Sequence, residues 1–564
     1  MVRLATALLM LVLASAGAQA AMRGTLVLRG GAIYTLDPAR PWAQALVVRD
    51  GRIVYVGNEA GTRAFDGRDA RTIALRGRMV LPGFHDGHSH PMSGAMRLLQ
   101  CRFDGLVSAR AIYDAVRRCA QASPAGAWVL GNGWAETAFG PGGPRRAALD
   151  DIVPDRPAML RTEDGYTAWV NSTALALAGI DPEGSTPLAE GLARDPASGK
   201  PTGILRNDAI ALVRRHVPPP TEGEYREALR RATAIANRFG ITSIFDASAS
   251  AAMLDAYHAA DLAGELTVRI VAAQLVDPRR GTDQVDDFVA RRVRFRGPLL
   301  RADAAKIFLD GEIGMHSAAM LAPYADMPDS RGDLFIRAGA LDAIVRRLDA
   351  EGFSIHMHAM GDGAVRAGLD AIEQAMAANG PRDRRHQLAH IGIADLSDIS
   401  RFGRLGVTAN IQPLWFQAGD PATASTDAAL GPARTRRNYP VASIAQAGGR
   451  IVASSDWPGP TMNPLDGIQY AITTQTLDGV LTARQPEQRI GLAAALAAYT
   501  RDAAWVARED ALDGGLAPGK AADLVVLDRN LFRLRARDLH KARVLLTLLA
   551  GEPVYRDPGF PWPG

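Results

Sequence analysis

The sequence is poor in cysteine: Cys101 and Cys119 are the only two among its 564 residues. Two cysteines are too few for a disulfide scaffold, and their spacing is not that of a zinc finger. Whether they pair with each other depends on the redox compartment, and the sequence leaves both states open. Neither a cross-linked miniature fold nor a zinc-finger module is therefore expected.

A strong excess of charge of one sign is also missing, because 64 Lys and Arg face 60 Asp and Glu. No basic run is interleaved with aromatic residues, and the arginine cluster at 434–437 is typical of a solvated loop. We therefore expect no nucleic-acid partner. The hydrophobic content of 47% excludes a disordered chain, and the lack of a fixed repeat excludes collagen and coiled coil.

Long hydrophobic runs are absent as well, since no segment stays apolar over the ~20 residues that a membrane-spanning helix needs. The apolar stretch 4–13 follows Arg3 and precedes a small-x-small pattern at 18–20, which is typical of a cleaved secretory signal. We interpret residues 1–20 as an export signal, with an N-terminal membrane anchor as the alternative. The mature protein is expected to cross the inner membrane, to be periplasmic in a Gram-negative host, and to have no stable membrane insertion.

The middle of the chain alternates between apolar, β-branched runs and helical patterns. Eight candidate strands lie at 79–90, 241–247, 267–275, 304–309, 353–358, 386–391, 407–411 and 450–456. One helix has a clear start, because Thr221 and Glu224 form a capping-box pattern, and Gly240 ends it. Eight strands alternating with helices favour an α/β fold of the (β/α)₈ barrel type over a doubly wound sheet.

The two chain ends have a different character from the middle. Short strand and turn patterns near both termini predict one small β-sandwich domain from residues 21–80 and 505–564. About 150 residues separate the first two candidate barrel strands, far more than an ordinary connection, which indicates an insertion. We assign 81–100 and 221–504 to the barrel and 101–220 to an inserted subdomain near the mouth of the active site.

Two histidines, His88 and His90, follow the apolar start of the first predicted barrel strand. Alternate residues of a strand share one face, so both imidazoles can hold one metal ion, although a pair of surface histidines is the alternative. Further polar residues fall on later predicted strands: Lys306 lies within 304–309, and His358, His390 and Asp456 lie at or near the ends of theirs. Enzymes with a (β/α)₈ barrel build their sites at that end, so this pattern predicts a catalytic metal centre.

Each of these residue types suits hydrolysis by water bound to two divalent ions, with Zn²⁺ the expected metal. A buried Lys306 near two cations would lose its proton and could take up CO₂ to form an anionic, bridging carbamate; a salt bridge with Asp310 is the alternative. Asp456 is the candidate general base, with capping of the following loop as its alternative. For His358 and His390 the alternative is a hydrogen-bonded core histidine.

Other residues are weaker candidates. His356 shares the strand face of His358, and we interpret it as supporting the ligands or the core rather than as a ligand. Four residues are candidates for contact with a small-molecule substrate, each with ordinary packing as its alternative: Trp134, Tyr166, His316 and Trp457. The sequence leaves open whether the protein forms a homo-oligomer.

Four motifs in order along the chain carry a resemblance to a known family. Residues 81–90 read LPGFHDGHSH, 358–362 read HAMGD, 454–458 read SSDWP and 516–523 read LAPGKAAD. Together they resemble the amidohydrolase superfamily, and within it the amidohydrolase 3 group of YtcJ-like proteins and N-substituted formamide deformylases. The resemblance implies a distorted (β/α)₈ barrel and a binuclear centre.

By motif position, the resemblance also implies the role of each residue. His88 and His90 correspond to ligands of the first metal, and His358 and His390 to ligands of the second. Lys306 corresponds to a carboxylated bridging lysine, and Asp456 to the catalytic aspartate.

The chain departs from the family pattern at Tyr166, where a histidine is expected after Asp-Gly, and at His85, where relatives usually have an apolar residue. The leading hypothesis is an exported metal-dependent hydrolase that cleaves an amide or a related C–N bond, other than a peptide bond, in a small molecule. A catalytically silent binding protein on the same scaffold is the alternative. A hydrolase of cyclic esters or other C–O bonds also stays open, because an activated water attacks either carbonyl.

Overall fold

The structure is a computed structural model that describes residues 24–140, 143–162, 165–184, 191–416, 421–459 and 461–563. The predicted export signal, residues 1–20, lies outside the described residues. The chain forms two compact units. One contains the described residues up to His90 together with Thr233 onward, and the other is Pro91–Ala232. In the part of the chain that is described, no helix combines the length and apolarity of a membrane span.

The chain begins with strands that lie in two different sheets. Their bounds are β1 (Thr25–Tyr34), β2 (Trp42–Arg49), β3 (Arg52–Gly57), β4 (Ala70–Ala74), β5 (Met79–Pro82) and β6 (Phe84–Ser89). The strand predicted over 79–90 is therefore two strands, and this prediction was wrong in its continuity. The chain leaves the first sheet at Gly83, whose N–H donates to Asp523 O, and β6 then starts the barrel.

The second unit contains the whole of the segment 101–220 that the sequence analysis assigns to an insertion. Its strands are β7 (Cys101–Arg102), β8 (Val129–Trp134), β9 (Ala158–Thr162), β10 (Thr167–Val170), β11 (Leu192–Arg194) and β12 (Pro201–Arg206). They form one sheet in the order β11-β12-β10-β9-β8-β7. Its helices are α1 (Pro91–Leu98), α2 (Ala109–Ala122), α3 (Arg146–Ile152), α4 (Ser172–Leu177) and α5 (Ile210–Arg214).

A disulfide bond joins Cys101 in β7 to Cys119 in α2, with the two Cα atoms 5.8 Å apart. It closes a segment of 18 residues and so fixes this helix to the edge of the sheet. The apolar face of α2 packs on the same core through Ile112 and Val116. The question that the sequence left open is thus answered by a paired state.

The barrel is built from strands that all run parallel. After α6 (Glu222–Arg238), its strands are β6 and then β13 (Ile241–Ala249), β14 (Arg269–Leu275), β15 (Leu300–Phe308), β16 (Ser354–Ala359), β17 (Gln387–His390), β18 (Thr408–Ile411) and β19 (Ile451–Ala453). They form one eight-stranded sheet in the order β19-β18-β17-β16-β15-β14-β13-β6. Just after β19, Asp456 N donates to His88 O in β6 at 2.8 Å, so the two edges of this sheet approach each other. The predicted (β/α)₈ barrel is confirmed.

Helices fill most of the connections between these strands, as the alternating pattern predicted. Their bounds are α7 (Ala251–Leu262), α8 (Gln284–Arg294), α9 (Ala338–Ala350), α10 (Asp362–Asn379), α11 (Leu396–Leu405), α12 (Pro421–Thr435), α13 (Val441–Gln446), α14 (Pro464–Thr473), α15 (Leu492–Ala498) and α16 (Arg501–Val506). The capping box at the start of α6 is present: Thr221 N donates to the Glu224 carboxylate and Glu224 N donates to Thr221 Oγ1.

The last strands bring the C-terminus back to the first sheet. They are β20 (Leu524–Leu527), β21 (Val544–Leu549) and β22 (Glu552–Arg556). All eight strands from the two chain ends belong to one sheet, in which β20 pairs antiparallel with β5. They share one apolar core. Both ends of the chain therefore hold the first barrel strand in place, since β5 leads into β6 after a single residue.

Candidate metal centre

The predicted barrel site residues lie at or just beyond the carboxyl ends of parallel strands. The loops that follow strands meet at this end of a barrel, which is where such enzymes carry their sites. Their positions, from the first strand to the last, are His88 in β6, His90 directly after β6, Lys306 in β15, His358 in β16, His390 at the end of β17 and Asp456 three residues after β19. Asp456 thus lies in a loop and not within a strand, which corrects the predicted strand 450–456.

Asp456 lies between two imidazoles. Its Oδ1 is 3.3 Å from Nε2 of His88 and 3.4 Å from Nε2 of His90. One ligand atom each from His88, His390 and Asp456 lie within 4.8 Å of one another. The 3.3 and 3.4 Å separations are those of ligand atoms that share a zinc-class ion, because two metal–ligand bonds of ~2.0–2.2 Å at a tetrahedral angle place their ends ~3.3–3.6 Å apart. The arrangement can therefore hold a metal ion.

The protonation states of these residues suit a metal. Among the described residues, Nε2 of the buried His88 makes no hydrogen bond of regular geometry, and its contact with Asp456 is an ion-pair separation of 3.3 Å. Burial and the charge of Lys306 lower the pKa of His88 to about 3, and burial holds the pKa of His390 well below its usual value. Burial alone would raise the pKa of Asp456, but contact with His88 outweighs it and holds the pKa well below its usual range. Neutral imidazoles and an ionised carboxylate are the forms that bind metal.

His358 and His390 form a second pair of imidazoles, with ring centroids 4.5 Å apart. Nδ1 of His358 is 3.1 Å from Oδ1 of Asp310, so Nε2 is the nitrogen left for a ligand. Burial lowers the pKa of His358, but its hydrogen bonds with Asp310 and Glu312 outweigh burial and raise the pKa to about 9. A metal that binds His358 must therefore displace a proton at neutral pH.

Asp310 is a buried carboxylate that the backbone fixes on both oxygens. Three N–H groups donate to it: Ala319 at 3.0 Å, Met360 at 3.0 Å and Gly361 at 2.8 Å. Charge-assisted hydrogen bonds of this kind are about twice as strong as neutral ones. Asp310 therefore orients His358.

Lys306 is fully buried, and its Nζ meets no hydrogen-bond partner among the described residues. Nζ lies 4.6 Å above the ring of Phe308. Burial lowers the pKa of Lys306 to about 7, so much of the amine is uncharged at neutral pH. Lys306 therefore has the neutral amine that the predicted carbamate requires. The carboxylate of Asp310 contacts His358, so the alternative salt bridge between Asp310 and Lys306 is not present.

The backbone locks the loop that carries Asp456 to the end of β6. Asp456 N donates to His88 O at 2.8 Å, and His90 N donates to Trp457 O at 2.8 Å. Asp456 and His390 both have left-handed backbones, with φ of 54° and 72°. A non-glycine residue in this region costs ~1–3 kcal/mol and persists only where its surroundings impose it, which is typical of functional sites.

Neighbouring polar residues hold β6 itself. Both oxygens of the buried Asp86 accept hydrogen bonds from Ser455, one from its N–H and one from its hydroxyl. Gly87 lies between Asp86 and His88, and a Cβ at this position would come within 2.5 Å of Val452 Cγ1. The glycine therefore allows β6 to lie against β19.

His356 contacts the candidate ligand His88. Its Nε2 is 2.8 Å from Nδ1 of His88. A bond at Nδ1 fixes the tautomer and the orientation of a metal-binding imidazole, and leaves its Nε2 for the ion. This contact matches the supporting role that we interpret for His356.

The four substrate candidates lie in different surroundings. Trp134 is fully buried in the core of the second unit and donates from Nε1 to Leu160 O, so it packs this core as its alternative predicts. Tyr166 is 40% exposed in the same unit. Trp457 follows Asp456 and is mostly buried, and His316 contacts Asp326 at 2.8 Å. Substrate contact by Tyr166, Trp457 and His316 stays a prediction.

Sequence reasoning missed the residues that hold the ligands in place. Asp86 and Ser455 had no role, and Asp310 was considered only as a partner for Lys306. Asp86 lies in the motif at 81–90 and Ser455 in the motif at 454–458. Their closeness in sequence to His88 and Asp456 was the signal that could have identified them. No periodicity indicates which imidazole a buried carboxylate will contact.

Comparison with known proteins identifies the family of the chain. The model of the amidohydrolase family Amidohydro_3 matches residues 71–555. The chain is 31% identical over 541 residues to the protein LONG AFTER FAR-RED 3 of Arabidopsis thaliana, covering 94% of this chain and 91% of that one. It is 27% identical to an N-substituted formamide deformylase of Arthrobacter pascens, covering 95% of this chain and 99% of that one.

A solved structure shows the same fold. It is described as an uncharacterized metal-dependent hydrolase from Pyrococcus furiosus, with a TM-score of 0.73, 24% identity and coverage of 90% of this chain and 99% of that one. The family match extends from β4 into β22 and includes every barrel strand. The protein is a hydrolase acting on C–N bonds, and the chain belongs to the Amidohydro_3 family of amidohydrolases.

Proposed function

We propose that the protein is an exported amidohydrolase that uses two divalent metal ions, of the zinc class, to cleave an amide or related C–N bond of a small molecule. The observation that carries the proposal is the position of Asp456, whose Oδ1 lies within 3.4 Å of a nitrogen of both His88 and His90. An ionised carboxylate beside two imidazoles can hold a metal and exchange a proton with a reacting water.

His88, His90 and Asp456 would hold one ion, and His358 and His390 the other, with a carboxylated Lys306 between them. When bound, such ions lower the pKa of a coordinated water and polarise the carbonyl of the substrate. Carboxylation forms a bond between Lys306 Nζ and the carbon of CO₂ and releases one proton from the amine. The lowered pKa of Lys306 supports this step, because only the neutral amine is a nucleophile.

Asp456 carries the proton through the reaction. Its low pKa keeps it ionised before the reaction, so its carboxylate can accept the proton of the attacking water. The C–N bond then breaks as Asp456 returns this proton to the leaving nitrogen, and the products are a carboxylic acid and an amine. His356 contacts Nδ1 of His88 and keeps the imidazole of His88 oriented during this transfer.

Export is part of the proposal. Residues 1–20 have the pattern of a secretory signal. The disulfide between Cys101 and Cys119 supports the same location, because such bonds persist in oxidising compartments such as the periplasm. Fractionation of cells that express the full chain tests it: the processed protein should appear outside the cytoplasm, and unprocessed cytoplasmic protein would contradict export.

A substrate screen tests the activity. Purified protein lacking residues 1–20 is incubated with Zn²⁺ and bicarbonate and then with N-formyl and N-acyl amines, since a relative bears the name of an N-substituted formamide deformylase. Release of amine that disappears in Asp456→Asn supports the proposal. Tight binding of these compounds without turnover in either protein would favour the silent binding protein, and turnover of lactones alone would favour a C–O hydrolase.

A further inference from the structure

Glu312 lies next to the metal-facing nitrogen of His358. Its Oε1 is 3.5 Å from Nε2 of His358, the nitrogen that Asp310 leaves for a ligand. This separation is close to those between Asp456 and the imidazoles of His88 and His90. Two carboxylates that are two residues apart in the chain thus contact opposite nitrogens of one imidazole.

The backbone of Glu312 is fixed by a tight turn. Its N–H donates to Ser317 Oγ at 3.0 Å, and its carbonyl accepts from Ser317 N at 3.1 Å and Ala318 N at 3.2 Å. The side chain is 40% exposed, so it reaches the site from the solvent side. A ligand on a held backbone loses less conformational freedom when it binds an ion.

The charges near Glu312 leave it available for a cation. Among the described residues, His358 is the one basic group in ion-pair contact with its carboxylate. A divalent ion bound to Nε2 of His358 would lie beside the Glu312 carboxylate, whose negative charge would stabilise it.

We propose that Glu312 is a ligand of the second metal ion, together with His358 and His390. This assignment rests on the proposed function. It gives each ion two imidazoles and one carboxylate: His88, His90 and Asp456 for the first, and His358, His390 and Glu312 for the second. Three protein ligands leave positions for water and substrate, as in catalytic zinc sites. The second ion then keeps three ligands even where Lys306 is unmodified.

The test measures the number of bound ions and the affinity of each by titration. Protein lacking residues 1–20 is stripped of metal, and Zn²⁺ binding is measured by competition with a chromophoric chelator. Glu312→Gln removes the negative charge with little change of shape, and Glu351→Gln is the matched control. Glu351 precedes β16, at the opposite end of the strand from His358, and contacts Arg347.

Wild-type protein and Glu351→Gln are expected to bind two ions. Glu312→Gln is expected to keep the first ion, and its affinity for the second ion should fall by over ~100-fold. Loss of a supporting partner already costs ~10–100-fold, so loss of a direct ligand should cost more. Glu312→Asp, which keeps the carboxylate, should recover part of the affinity.

Two unchanged affinities in Glu312→Gln would overturn the assignment and leave the two-ion proposal intact. Unchanged affinities with a raised KM for cationic substrates would instead make Glu312 a substrate-binding residue. No ion bound to wild-type protein would refute the proposed function itself and this assignment with it.

Discussion

Replacing Asp310 by Asn should weaken the second metal site without changing the first. Asp310 accepts hydrogen bonds from three backbone N–H groups and orients His358 through Nδ1. The amide of Asn keeps one acceptor oxygen. Its NH₂ group replaces the other oxygen and so places a donor against groups that themselves donate to Asp310. Nδ1 of His358 then loses a charged partner, and the preferred orientation of the ring is lost.

The size of the effect follows from this geometry. Supporting carboxylates of metal-binding histidines contribute ~10–100-fold in affinity, which corresponds to ~1.4–2.8 kcal/mol. The free energy of unfolding should fall by more, ~3–5 kcal/mol, because the substitution removes the charged acceptor and leaves its buried donors without a partner. The second ion is therefore expected to dissociate first as chelator is added, and the melting temperature should fall.

Chelator competition and thermal unfolding of the same preparations measure both effects. Asp303→Asn is the matched control, since Asp303 lies in β15, the strand that ends two residues before Asp310, and pairs with the partly exposed Arg301. It should leave both ions and most of the stability unchanged. If Asp310→Asn binds the second ion as tightly as wild-type protein does, the role assigned to Asp310 is refuted.

Four further substitutions test other parts of the account. Asp456→Asn should lower kcat by ~10²–10⁴-fold in the amine-release assay, and a rate within threefold of wild type would contradict its role as the base. Gly87→Ala should cost ~1–3 kcal/mol in denaturant unfolding, because its Cβ would overlap Val452; unchanged stability would contradict the packing of β6 on β19. Cys101→Ser should cost ~3 kcal/mol and make the stability insensitive to reductant, since the disulfide spans 18 residues; a persisting response to reductant would contradict this. Burial alone would raise the pKa of Asp349, but side-chain donors outweigh burial and hold the pKa below its usual value, so its stabilisation is present at neutral pH and is lost progressively as the pH falls below ~4 towards the folded-state pKa. Asp349→Asn should then lower the free energy of unfolding at pH 7 and flatten its acid dependence, and parallel curves for the two proteins would refute this.

The sequence predicted the barrel, and the gathering of the candidate site residues at one end of it, for one physical reason. Parallel strands of a barrel present their carboxyl ends on one rim, so polar residues at those positions must converge. His88, His358 and His390 could be placed in this way from strand periodicity alone. Asp456 was placed correctly near the rim, although its strand ends three residues earlier, because the prediction needed only proximity to that end.

Features that depend on long-range pairing were not predictable in this way. The split of 79–90 into β5 and β6 depends on β20, which lies more than 400 residues later and pairs with β5. The contact of Asp310 with His358 joins the segment after β15 to β16 and depends on side-chain orientation, which periodicity does not determine. Trp134 shows the same limit, since an aromatic residue in a core and one in a pocket look alike in sequence.

The most direct test of the two-ion account is the metal content of purified protein lacking residues 1–20, measured by elemental analysis after incubation with Zn²⁺ and bicarbonate. About two zinc-class ions per chain are expected for a binuclear hydrolase, with fewer in Lys306→Ala. Absence of bound metal from the folded wild-type protein under these conditions would contradict the account.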